Sequence, residues 1–143
     1  MSEHSLWRFS RALQRAVTER RTDHLAPLIA DDVEWSIFGP IEMFPFLGER
    51  RGKAAVLEVC QQVADRVSIQ RWQQESSILE PDGAAVMVRC SLRLAESDRV
   101  VNLRLAQFAR FENNMLVSLR AVIDTFDLVE QSLGRQIHLP RIA

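Results

Sequence analysis

The chain contains no tyrosine, only two cysteines and only three histidines in 143 residues. Without tyrosine there is no phenol to donate a hydrogen bond to a developing oxyanion. Cys60 and Cys90 stand alone in apolar surroundings, with no CxxC or CxxH spacing, and read as small buried hydrophobes. His4, His24 and His138 are scattered over a terminus, a helix start and a tail, so neither a metal site nor a catalytic triad is implied. No cofactor is implied either. No apolar run approaches the roughly 20 residues that cross a bilayer, and the start MSEHSLWRFSRALQR is amphipathic where a signal peptide needs an apolar stretch. A formal charge of -1 and a pI near 6.3 leave no electrostatic footprint for nucleic acid. These absences point to a cytoplasmic protein without membrane or nucleic-acid partners.

What is present suits one globular domain: 47% hydrophobic and 26% charged residues, enough to bury a core. That domain is expected over residues 1–134, followed by a loosely held tail at residues 135–143. Leu6, Phe9, Leu13, Ala16 and Val17 recur at helical spacing and predict a helix over Glu3–Arg20, with Ser2 available as its cap. A short helix is expected over Asp23–Ile29, then an extended segment Val33–Ile37, a loop over Phe38–Arg51 and a third helix over Lys53–Arg66. Beyond it the period changes from helical to alternating. Four long strands are predicted, Ser68–Leu79, Ala84–Ala95, Val100–Phe111 and Leu116–Phe126, joined by short turns such as Pro81-Asp82-Gly83 and Asn113-Asn114. Three helices ahead of such an antiparallel meander imply an α+β domain whose sheet curls over the helices.

Three stretches, LIADDVEWSIFGP, FLGERRGKAAVLEVCQQV and RFENNMLVSLRAVID, occur in the order and context found in the nuclear transport factor two-like superfamily. Together they resemble its SnoaL-like polyketide cyclase and ketosteroid-isomerase-like branches, over nearly the whole chain. The resemblance implies a cone-shaped, strongly curved antiparallel sheet packed on three N-terminal helices, a cystatin-like α+β barrel with a deep apolar pocket.

Isomerases of that superfamily use an aspartate base at a position that resembles Ser36, a tyrosine on the first helix, and an acid at a position that resembles Gln107. Serine is a weak base, the tyrosine is missing, and Gln107 donates a hydrogen bond without shuttling a proton. Efficient ketosteroid isomerisation is therefore not expected. Its epoxide hydrolases hold water between two aspartates bridged by an arginine; Arg89 and Asp124 resemble two of these groups, with Ser91 in place of the third. Asp124 is thus the candidate acid or base and Arg89 its candidate helper. A purely structural role for Asp124, ending its strand by bonding nearby backbone, is the alternative.

Strand alternation separates Val117, Leu119, Ala121 and Ile123 from Ser118, Arg120, Val122 and Asp124. If the apolar set faces the pocket, Asp124 points away from it. Trp35, Leu105, Gln107, Leu119 and Ile123, with Phe9 and Leu13 of the first helix and Phe46 of the following loop, are expected to line the pocket. The expectation is a protein that binds a small hydrophobic molecule. The alternatives are an isomerase, cyclase or epoxide-hydrolase-like enzyme using Asp124, and a non-catalytic assembly domain. A homodimer through the outer sheet face is expected, because Phe108, Val122, Leu92 and Val88 would otherwise be exposed.

Overall fold

Helix α1 (Ser5–Glu19) forms where Leu6, Phe9, Ala16 and Val17 fall on one buried stripe. The structure, a computed structural model, describes residues 3–142; Ser2, the expected cap, lies outside them. His4 takes that role, its Nδ1 accepting from the Leu6 backbone N–H at 3.0 Å. The expected second helix contracts to a 3₁₀ turn over Ala26–Leu28, where Pro27 suits a first turn and Ile29 immediately extends.

Strand β1 (Ile29–Phe38) is longer than predicted, because a register irregularity between Ile29 and Glu34 lets Asp31 and Asp32 turn outward while Ile29, Val33 and Trp35 stay buried. The expected loop contains a further strand, β2 (Gly48–Arg51), which pairs antiparallel with β1 through Trp35 and Arg50. Gly52 then takes a φ of +93°, open to glycine alone among common residues, and gives its N–H to the Val33 carbonyl at 2.8 Å. This turn starts helix α2 at its predicted bounds, Lys53–Arg66, with Val56, Val59, Cys60 and Ala64 buried.

The meander follows as predicted within a residue or so, except at its end: β3 (Val67–Glu80), β4 (Gly83–Leu94), β5 (Val100–Glu112) and β6 (Met115–Ile123). Asn113 and Asn114, with φ of 51° and 64°, make the two-residue turn that matches strand twist. The strand expected to run to Phe126 stops at Ile123, and helix α3 (Thr125–Leu133) begins, capped by Asp124 and ended by Gly134 at φ 71°.

The six strands run in the order β2-β1-β6-β5-β4-β3. The α+β class and the curved sheet are as expected, with two corrections. The sheet is mixed, because β1 pairs parallel with β6 and so joins the start of the domain to its end. Two α-helices and a 3₁₀ turn precede the meander, and the third α-helix follows it. Phe9, Leu25, Ile29, Val33, Val56, Leu116 and Leu119 form the fully buried heart, between the inner sheet face and the helices. Val88 and Leu92, expected on the outer face, point inward: Val88 is fully buried and Leu92 packs on the core.

Candidate functional site

The curl of the sheet brings β1 and β3, separated by three strands, to opposite walls of one cavity of about 140 Å³. Inward positions on neighbouring strands form ladders: Ile37, Ala121, Gln107 and Val86 in one row, Ile123, Leu105 and Val88 in the next, then Leu103, Cys90 and Trp72. Trp35 and Leu119 lie one row to the other side of Gln107. Helix α1 contributes Leu13 and Gln14, and α2 contributes Val59, Cys60 and Val63. Phe46 and Leu47, both buried, reach the cavity from the segment before β2.

The sequence-predicted residues thus fall into two groups. Trp35, Leu105, Gln107, Leu119, Ile123, Leu13 and Phe46 line this cavity. Phe9 stands behind it, its ring edge-on to Trp35 at 6.5 Å between centroids. Asp124 and Arg89 lie elsewhere. Asp124 is exposed and its Oδ1 accepts from the Asp127 backbone N–H at 3.1 Å, the structural alternative weighed for it. Arg89 is on the outer face, cross-strand from Arg104, with Glu75 at 3.9 Å. Ser91 also faces outward and donates to Asn102 Oδ1 at 2.6 Å. Alternation decides these outcomes: Cys90 and Leu92 face in, so Arg89 and Ser91 face out. Ser36 likewise leaves the cavity to its neighbours Trp35 and Ile37.

Chemically the cavity is apolar with a few neutral polar groups. Its described lining contains no carboxylate, imidazole, amine or guanidinium; the titratable side chains are Cys60 and Cys90. Burial pushes the Cys60 thiol up to about 12 and the Cys90 thiol up to about 11, so both stay protonated at neutral pH. Gln107 presents an amide between Val86 and Ala121. The indole N–H groups of Trp35 and Trp72 are both shut away from solvent without a hydrogen-bond partner among the described residues. Among the described residues no group of three His, Cys, Asp or Glu side chains is arranged to hold a metal.

Cys60, Cys90 and Val63 were not expected at a site, although Cys60 and Val63 lie on the apolar stripe of α2. Gln14, which donates to Ser10 Oγ at 3.2 Å, was hidden because it borders the polar side of α1.

The SnoaL-like domain family model matches residues 10–119. Among solved structures, a provisionally named isomerase from Rhodopseudomonas palustris is 58% identical, with a TM-score of 0.92 over 94% of this chain and 100% of that one. A nuclear transport factor two-like protein from Burkholderia xenovorans is 21% identical, with a TM-score of 0.75 over 92% and 98% of the two chains. An LEH-like epoxide hydrolase from Mycobacterium tuberculosis is 13% identical, with a TM-score of 0.70 over 91% and 90%. The last two likenesses are of fold alone. No curated protein matches the chain.

Proposed function

The chain belongs to the SnoaL-like domain family of the nuclear transport factor two-like superfamily, and we propose that it binds a small apolar molecule in the cavity between β1 and β3. One observation carries this reading: the cavity is walled by apolar side chains and neutral polar groups, while the candidate acid or base Asp124 and its candidate helper Arg89 sit outside it. Such a lining favours ligand through burial of apolar surface and orients it through a few polar contacts. Native mass spectrometry of protein purified from its own cells is expected to reveal a small neutral adduct that is lost on solvent extraction. Ala121→Leu, which fills the cavity from β6, should abolish the adduct while leaving the circular dichroism spectrum unchanged. Retention of the adduct by this variant would place the ligand elsewhere.

A second reading, an isomerase, is favoured by the name given to the 58%-identical Rhodopseudomonas protein; a small ketone is the substrate that the cavity would suit. Deuterium exchange at the carbon next to the carbonyl of a bound ketone would distinguish it, since a binding protein gives no exchange above the solvent rate.

The proposal extends to assembly. Phe38, Ile78, Phe108 and Val122 are 51%, 73%, 52% and 47% exposed around a trough on the outer sheet face. Arg110, Arg120, Glu34 and Glu80 line the same trough, and none of them enters an ion pair among the described residues. A second copy docked about a twofold axis covers the apolar side chains and sets acid against base. Among the described residues no helix is long and apolar enough to cross a membrane, and two buried free thiols suit the reducing cytoplasm proposed as its compartment.

A further inference from the structure

The cavity lining is short of hydrogen-bond acceptors and carries two stranded donors. Trp35 on β1 is 4% exposed and Trp72 on β3 is half-buried, and the Nε1 of each is inaccessible to solvent with no partner among the described residues. Both side chains line the same cavity, from opposite walls. Indole offers only a donor, and a buried donor left unmade costs about 1–3 kcal/mol. Nothing in the register relieves either group: Trp35 is flanked by Leu119 and by Arg50, whose side chain only donates, and Trp72 by Cys90, a thiol that accepts weakly. Alongside them, the Gln107 amide contributes donor hydrogens as well as a carbonyl.

Size narrows the partner further. Pockets for drug-sized ligands run to about 300–1,000 Å³, whereas a cavity of about 150 Å³ in another protein is filled by benzene; here the space is about 140 Å³. A fused-ring steroid exceeds it. Charge narrows the partner again, because an ionised group would be buried there without a counter-charge.

We infer that the natural ligand is a neutral molecule of about single-ring size carrying at least one carbonyl-type acceptor, held by the indole N–H of Trp35 or Trp72. This rests on the binding reading above and adds to it the chemical class of the ligand. A carbonyl that reaches either indole N–H through a small rotation of the ring supplies the missing acceptor, whereas a hydrocarbon of the same shape leaves the donor unpartnered.

The test uses the full chain with ¹⁵N-labelled indoles and three probes: acetophenone, its carbon isostere α-methylstyrene, and benzoate. With acetophenone, the indole N–H resonance of Trp35 or Trp72 should move downfield, while that of Trp7, which lies outside the cavity lining, stays in place. With α-methylstyrene the downfield shift should be missing, and benzoate should not bind. Trp35→Phe and Trp72→Phe keep an aromatic ring and remove the donor. The variant of whichever indole responds should lose about tenfold in acetophenone affinity, with α-methylstyrene affinity unchanged. Should a variant fail to fold, the wild-type indole shifts decide. Binding of acetophenone and α-methylstyrene with unmoved indole signals would overturn the acceptor requirement and leave the apolar-binding reading intact, and tight benzoate binding would overturn neutrality. If neither neutral probe bound the folded protein, the binding reading would fall and the ligand class with it.

Discussion

Ile123 and Asp124 are chain neighbours with opposite duties: Ile123 lines the cavity, and Asp124 accepts the Asp127 N–H at 3.1 Å to open α3. The strand ends where the helix needs a cap for its first N–H groups, which accounts for Asp124 without invoking proton transfer. Asp124→Ala should destabilise the fold by about 0.5–2 kcal/mol, the usual cost of a lost N-cap, whereas Asp124→Asn, an equally good cap, should cost little. Neither should change ligand affinity. Urea denaturation beside calorimetric titration of acetophenone checks both halves, and a large affinity loss in Asp124→Asn would return the residue to the site.

The two thiols give the fold an alkaline dependence of definite sign. In the unfolded chain both ionise near 9.0, while in the folded protein Cys60 holds its proton to about 12 and Cys90 to about 11. Between those values the unfolded state has released protons that the native state keeps, so stability is full below pH 9 and falls as pH rises. The expected slope is about 1.4 kcal/mol per pH unit for each thiol. With no tyrosine and a single lysine, Lys53, few other groups titrate in this window. Denaturation midpoints taken from about pH 8 to pH 10.5 should decline in the wild type, and Cys60→Ala with Cys90→Ala should flatten the decline while lowering the baseline through lost packing. A slope surviving in the double variant would assign it to other groups.

Elements whose partners are their chain neighbours were legible. Helix α2 and the meander show clear periods, and the turn Asn113-Asn114 states its own geometry. The pairing of β1 with β6 is parallel and spans the whole domain, so no local pattern announces it. Strand β2 reads Gly-Glu-Arg-Arg, with no apolar alternation, and exists because β1 has a free edge. Helix α3 did carry a signal, with Asp124 before Thr125 and Gly134 after Leu133, but the apolar run Ala121-Val122-Ile123 drew the strand through it. At the site, alternation on β5 and β6 put Gln107, Leu105, Leu119 and Ile123 on one face, the face that lines the cavity. Transferring roles by resemblance onto Ser36, Arg89 and Ser91 put them one residue out of phase with the inward face.

Assembly should depend on Phe108. It lies cross-strand between Ala85 and Arg120 on the outer face, half-exposed in the trough with Ile78 and Val122. An aromatic at the middle of a twofold interface behaves as a hot spot worth roughly 2 kcal/mol or more. Phe108→Glu should therefore weaken the proposed dimer at least about 30-fold by sedimentation equilibrium, with the monomer still folded. A wild-type chain sedimenting as a monomer at micromolar concentration would remove the interface altogether.

Proton abstraction beside a carbonyl needs a base inside the cavity, and alternation on β1 aims Trp35 and Ile37 inward while Ser36, paired with Arg120, faces the other side. The wild type should not isomerise a small β,γ-unsaturated ketone such as cyclohex-3-enone, because no cavity group takes a proton at neutral pH. Ser36→Asp should not change that. Ile37→Asp places a carboxylate in the same row as Gln107, where burial raises its pKa toward the useful range. General-base catalysis contributes about 10²–10⁴ in rate, so measurable turnover is expected from Ile37→Asp, with Gln107 and the indole N–H groups available to the developing oxyanion. Ultraviolet absorbance of the conjugated product follows the reaction directly. Turnover by Ser36→Asp exceeding that of Ile37→Asp would reverse the assignment of the two faces of β1, and robust turnover by the wild type would make the protein an isomerase with a base outside the described lining.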